Sequence, residues 1–185
     1  MIRNLIRKTV FKMIKYCEEK DKIFVITGSS IDGEPKPYLV RYLLINNRFF
    51  SIYIHRFLRS DHDGPHDHPF PFLSYIVDGG YTERQYLYKT KIIETYFNVK
   101  DRRREPGSLA FKSATDIHKV ILDKEFTIEE KEQAPLSVCF IGPRIREWGF
   151  WDGEETTMFG TTQLRAKWVL WTEFLGINPD TEKRG

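Results

Sequence analysis

The stretch His55-Arg-Phe-Leu-Arg-Ser-Asp-His62-Asp-Gly64-Pro65-His66-Asp67-His68-Pro69 carries four of the chain's five histidines. Its decisive part is the pair His66 and His68. Residues two apart on a strand point their side chains the same way. Their Cα atoms then lie roughly 6.5–7 Å apart. Two imidazoles at that separation can lean onto one metal ion, whose bonds to nitrogen are only about 2.0–2.1 Å long. The stretch therefore predicts a metal site and a β-structure that holds it.

Size and composition set the frame. A chain of 185 residues fits one domain with a sizeable core, and 41% hydrophobic with 15% aromatic residues excludes global disorder. A net charge of +3 is too small to argue for nucleic acid, which needs a clustered basic face. The run Arg102-Arg103-Arg104, flanked by Asp101 and Glu105, reads as a solvated loop. Two distant cysteines, Cys17 and Cys139, imply no disulfide framework and suit a reducing compartment, so the cytoplasm is expected. Cys139 reads as a core filler. No run of 18 apolar residues predicts a membrane span, and the N-terminus lacks a secretory h-region.

Along the chain, Ile2, Leu5, Ile6, Val10, Met13, Ile14 and Cys17 recur at three- and four-residue steps and predict an amphipathic helix over 1–22. Short β-branched and aromatic runs follow, separated by turn chemistry at 29–37, Asn46-Asn47, Gly64-Pro65, Asp78-Gly79-Gly80 and Pro106-Gly107. Residues 163–176 read as a closing helix with Gly176 as its stop. Many short strands between turns argue for an all-β sandwich or barrel.

Gly64, His66, His68 and Gly79 or Gly80, followed by Pro106, Gly107 and His118, resemble the two sequence motifs of the cupin superfamily. The match covers about residues 64–120. It departs from the family pattern where a motif glutamate would stand, because Phe72 or Leu73 occupies that slot. The resemblance implies a single domain of RmlC-like, double-stranded β-helix type: an N-terminal helix at 1–22, a jelly-roll barrel at 23–160 and a C-terminal helix at 163–176. It also implies a three-histidine metal site of His66, His68 and His118. Glu83, just past the Gly79-Gly80 turn, is the candidate fourth ligand or general base. Asp67 alternates away from the two histidines and is expected to face outward.

Three neutral imidazoles leave coordination positions open for water or substrate, which is the pattern of catalytic sites. They suit one divalent transition metal, Fe, Zn, Mn or Ni. Free imidazoles would lose the metal as pH drops below roughly 6.5. His55, Phe72, Tyr81 and Trp148 are candidate lining for a substrate pocket. Arg56, Arg59, Arg144 and Arg146 are candidate anion contacts, and His62 reads as a surface loop residue. The expected function is a metal-dependent cupin that binds and transforms a small polar molecule, dioxygenase-like if iron is bound. The alternatives are a non-catalytic ligand-binding cupin and a metal-free, epimerase-like cupin with His66 as base. No nucleic acid or membrane partner is expected. A homodimer is expected by resemblance, with the N-terminal stripe as a plausible contact.

Overall fold

The computed structural model describes residues 2–29, 34–89 and 96–176. Helix α1 (Ile2–Glu19) is followed by β1 (Ile23–Ser29), β2 (Pro35–Asn46), β3 (Ser51–Phe57), β4 (Phe72–Asp78), β5 (Tyr81–Lys89) and β6 (Tyr96–Arg104). Then come β7 (Leu109–Lys112), β8 (Ile117–Ile121), β9 (Leu136–Ile141), β10 (Gly149–Met158), β11 (Thr161–Leu170) and the one-turn helix α2 (Trp171–Phe174). One sheet is ordered β1-β2-β3-β9-β4-β7 and the other β10-β11-β6-β5-β8.

The strand pairing defines the architecture. The chain runs forward through β3, the His66 segment, β4 and β5, then doubles back through β6, β7, β8 and β9. Each forward segment pairs antiparallel with its returning counterpart: β3 with β9, His66 with His118 of β8, β4 with β7, and β5 with β6. A doubled ribbon wound so that its segments alternate between two sheets is a double-stranded β-helix. The all-β fold with a helix at each end is therefore as expected from the sequence.

Alternation along the strands sorts the core into layers. On one face of the larger sheet, Val40, Tyr42, Ile54, Leu58, Val77 and Leu136 pack against Val10, Ile14 and Cys17 of α1. Burying each large aliphatic side chain contributes about 1.5–3 kcal/mol, so these contacts anchor the helix firmly. The middle of the predicted stripe is thus used within the chain, while Ile2, Leu5 and Met13 stay exposed. The helix stops because Asp21 adopts φ 52°, and the Lys22 N–H reaches back to the Cys17 carbonyl at 2.9 Å. On the opposite, inner face, Leu39, Phe57, Ile76, Tyr81, Val120 and Leu122 fill one end of the barrel.

Two local expectations are corrected. Thr161–Leu170 is a strand, and the C-terminal helix covers only Trp171–Phe174. Its apolar residues Leu164, Ala166 and Trp168 fall at a period of two, and ten residues pair in register with β10. The β10–β11 hairpin extends the smaller sheet from β6, and Trp151, Leu164 and Ala166 pack with Tyr86, Phe97, Val99 and Ile117. Arg102–Arg104 is the end of strand β6 rather than a loop; Arg102 and Arg103 are solvent-exposed as expected, but Arg104 is buried. A buried carboxylate makes that burial tolerable, as described below.

Candidate metal centre

Strand β8 lies between β5 and the His66 segment, and this arrangement builds the site. His118 is the register partner of Gln85 on β5 and of His66 on its other side. Backbone hydrogen bonds run both ways between His66 and His118, each at 3.1 Å. The His68 N–H donates to the Ala114 carbonyl at 3.2 Å, so this residue also stays on the inner side of the ribbon. The three imidazoles offer one nitrogen each, all within 4.8 Å of one another. His68 Nε2 and His118 Nε2 are 2.8 Å apart. Bonds of about 2.0–2.1 Å at angles between octahedral and tetrahedral place two ligand nitrogens about 2.9–3.4 Å apart, so the His68–His118 pair is already close to that spacing, while separations of up to 4.8 Å in the trio would have to close by about an ångström as the rings turn onto an ion.

The outer nitrogens of two rings are held. His66 Nδ1 faces the Gly64 carbonyl at 3.2 Å, and His118 Nδ1 faces Glu83 Oε1 at 3.0 Å. With Nδ1–H donating in each case, both Nε2 atoms are left free toward the centre. Burial, reinforced by neighbouring His66 and His118, holds the His68 pKa well below its ordinary value. Burial also lowers that of His118, against the opposing pull of Glu83. Both rings therefore stay neutral, the form that binds metals, to lower pH than free imidazole would.

Glu83 stands behind His118. One oxygen meets Lys112 Nζ as well as His118; the other accepts from Arg104 Nε at 2.7 Å, from Arg104 Nη2 and from Gln85 at 3.2 Å. Burial would raise this carboxyl's pKa, but the hydrogen bond from His118 and the hydrogen-bonded charge of Lys112 outweigh it and hold the group well below the usual carboxylate range. The cluster of Glu83, Arg104 and Lys112 carries one more positive than negative charge in the interior.

Asp67 does point away from the cavity, but it is not solvent-facing as expected: it is 1% exposed. The β10–β11 hairpin covers it. It accepts from the Gly149 N–H at 2.9 Å and the Trp168 indole at 3.0 Å, and pairs with Arg146 at 2.9 Å. The Asp67 N–H donates to the Gly149 carbonyl, and the Trp151 N–H to the Pro65 carbonyl. His66 also bridges to Phe150. The hairpin is thereby pinned to the metal-binding segment, and the hydrogen-bonded ring β10-β11-β6-β5-β8-His66 closes on itself.

Of the predicted pocket residues, Phe72 lies 4.8 Å, ring to ring, from His68, and Trp148 lies 6.4 Å from His66. His55 and Tyr81 instead pack against Phe57, at 6.1 and 5.3 Å. The proposed arginines are occupied. Arg56 pairs with Glu132, Arg59 with Glu125, Arg144 with Glu147 and Arg146 with Asp67. His62 also pairs with Glu125. Sequence reasoning missed Arg41, an inward-facing residue between the buried Val40 and Tyr42. A cation within the apolar run Leu39–Leu44 was the available signal.

Two hollows open in the structure, and neither is lined by one of the three histidines. One, of about 260 Å³, opens between β6 and β7 and is lined by Gln85, Arg102, Arg104, Phe111 and Lys112, among others. The other, of about 220 Å³, is lined by Arg41, Arg48, Phe50, Tyr53, Phe70 and Arg144, among others. Phe70 joins the second hollow to the centre, because its ring stacks on His68 at 6.1 Å.

No family model and no curated protein matches this chain. Solved structures do. KdgF from Halomonas sp. is 18% identical with a TM-score of 0.40, over 66% of this chain and 94% of its own. The DMSP lyase DddQ from Ruegeria pomeroyi DSS-3 is 12% identical with a TM-score of 0.43, over 68% of this chain and 60% of its own. An RmlC-like cupin from Shewanella frigidimarina NCIMB 400 is 13% identical with a TM-score of 0.39, over 64% and 84%. The structures this chain resembles are thus RmlC-like cupin and double-stranded β-helix proteins, enzymes among them. At these levels of likeness, the fold assignment rests on the strand pairing described above.

Proposed function

We propose that this protein is a metal-dependent enzyme of the cupin type that acts on a small polar molecule inside the barrel. The observation that carries the reading is the convergence of His66, His68 and His118 within 4.8 Å, with Glu83 hydrogen-bonded to the outer nitrogen of His118. A carboxylate behind a ligand imidazole fixes its tautomer and raises its basicity. A divalent ion held by three imidazoles would supply Lewis acidity or, if it is iron, oxygen activation. His66, His68 and His118 are its ligands in this proposal, and Glu83 is a positioning residue, because both of its oxygens are already engaged by His118 and by cations. Phe72 and Trp148 wall the centre and keep bulk water from it.

One observation favours a non-catalytic reading. Glu83, the carboxylate beside the trio, has no oxygen free to move a proton for a substrate. A metal-dependent ligand sensor would need no such group, and turnover of a substrate by the metal-loaded protein decides against it. The metal-free, epimerase-like reading is less well supported. There His66 would need an orienting carboxylate, and it is His118 that has one. The exposed side chains Phe24, Val25 and Ile26 on edge strand β1 make that edge the proposed homodimer contact. A cytoplasmic location remains part of the proposal.

The test is metal content. Protein purified without chelators should carry close to one equivalent of a transition metal, and His66→Ala, His68→Ala and His118→Ala should each lose most of it while remaining folded. Less than about a tenth of an equivalent in the parent, unchanged by the substitutions and by added Fe(II), Zn or Mn, would remove the proposal.

A further inference from the structure

The barrel interior contains polar groups that the metal centre does not use. Arg41 and His55 are direct cross-strand partners on β2 and β3, and both face inward. His55 is 7% exposed, and its Nε2 has no hydrogen-bond partner. Arg41 Nε is likewise enclosed and unpartnered. A buried polar atom left unsatisfied is costly, most of all in a charged group. Two such atoms on paired residues therefore call for a partner that the chain does not supply.

The surroundings say what kind of partner. The guanidinium of Arg41 lies 4.9 Å from the centre of the Tyr53 ring, which orients it without neutralising it. The groups that favour its charged form are Tyr53, Cys139 and Tyr38, none of them a carboxylate. Of the other arginines lining the 220 Å³ hollow, Arg144 is already paired with Glu147 and Arg48 lies over the Phe49 ring, and no acidic residue lines the hollow. The 260 Å³ hollow differs. Its buried cations, Arg104 and Lys112, are both committed to Glu83. Charge in the first hollow thus awaits an anion, whereas charge in the second already has one.

We infer that the hollow beside the metal centre binds a small organic carboxylate, its anionic group seated on Arg41 and within reach of His55, its body between Phe50, Tyr53 and Phe70. The planar guanidinium matches a carboxylate fork. A single buried cation with a neutral imidazole balances one negative charge. The volume holds on the order of seven water-sized groups, the size of a small organic acid. Phe70 walls both this hollow and the metal centre, so a carboxylate seated on Arg41 directs the rest of the molecule toward the three histidines. The inference deepens the proposed function by naming its substrate class, but anion binding itself does not need the metal.

Calorimetric titration with a panel of acetate, pyruvate, succinate and benzoate, with benzamide and inorganic phosphate as comparators, tests this. The proteins are wild type, Arg41→Met, Arg41→Lys, His55→Phe and the metal-ligand variant His66→Ala, each with its metal content measured. At least one carboxylate should bind wild type and His66→Ala alike. Arg41→Met should lose about tenfold or more in affinity while keeping its metal, with partial recovery in Arg41→Lys and a smaller loss in His55→Phe. Benzamide should bind at least about tenfold more weakly than benzoate if benzoate is the ligand taken. The inference is overturned if no carboxylate binds wild type at 50 mM (~3 kT-scale affinity or weaker), if Arg41→Met binds as wild type does, or if phosphate alone binds. Retained carboxylate binding in a protein that never holds metal would leave the inference standing and remove the proposed function instead.

Discussion

Removing the Glu83 carboxylate should damage both the fold and the metal centre, and the structure sets the scale. Glu83 is 3% exposed and neutralises one of two buried cations, Arg104 (3%) and Lys112 (4%). Glu83→Gln keeps the shape but leaves both cations without a counter-charge and turns one amide N–H₂ toward donors. Breaking a buried ion pair from one side costs about 3–5 kcal/mol. With a urea slope of ~2 kcal/mol/M, that lowers the unfolding midpoint by about 1.5–2.5 M. The assay is urea unfolding in excess chelator, followed by the fluorescence of Trp148, Trp151, Trp168 and Trp171, which all lie in or beside the hairpin covering the site. The paired variant Glu83→Gln/Lys112→Met leaves a single buried cation, as in the parent cluster with its net charge of one, and should recover more than half of the loss. In the folded variants, loss of the partner to His118 Nδ1 should also weaken metal binding about 10–100-fold. A chelated Glu83→Gln within about 1 kcal/mol of wild type, an ordinary surface-like effect, together with unchanged metal affinity, would refute the assigned role.

Further outcomes follow from the same geometry. Asp67→Asn should cost about 3 kcal/mol or more, because Arg146 loses its counter-ion while the Trp168 indole and Gly149 N–H keep only an amide oxygen; a red-shifted tryptophan spectrum before global unfolding would report the hairpin lifting. Gly149→Ala should be destabilising by about 1–3 kcal/mol or more, since an added Cβ would sit 2.1 Å from the Val169 carbonyl oxygen; a thermal midpoint unchanged from wild type would contradict the close packing of β10 on β11. The pH dependence has a fixed sign. His55, His68 and His118 are held below their ordinary value of 6.5, chiefly by burial, so the unfolded chain takes up protons that the folded one refuses. Chelated protein should therefore lose stability as pH falls below 6.5, by up to ~1.4 kcal/mol per pH unit for each histidine, while metal release from the folded protein occurs at lower pH than free imidazole would show. Flat stability between pH 7 and 5 would contradict that burial.

The sequence made one half of the site readable and concealed the other. His66 and His68 could be paired by the two-residue period alone, whereas His118 joined them only through the resemblance of Pro106, Gly107 and His118 to the second cupin motif. Glu83 was found by its place after a turn, but its role could not be read. That role depends on Arg104 and Lys112, which reach it only through the β5–β6 pairing and the packing of the two sheets. Asp67 shows the limit of alternation as a guide. It does point away from the cavity, yet a hairpin 80–100 residues downstream covers it. That same hairpin misled the reading of 163–176, where Leu164, Ala166 and Trp168 suit a strand while Leu164, Trp168, Trp171 and Leu175 also suit a helix. Only pairing with β10 distinguishes the two. The basic run at 102–104 looked solvated for a similar reason: the acid that buries Arg104 lies 21 residues away.

The central claim is that three imidazoles from two strands share one ion. X-ray absorption at the metal edge of protein loaded with one equivalent of zinc or iron measures this directly. The account predicts three imidazole nitrogens at about 2.0–2.1 Å, falling to two on the metal that His118→Ala still retains, with the remaining positions filled by light oxygen scatterers. A loaded protein showing one imidazole or none, or an identical spectrum after removal of His118, would contradict it.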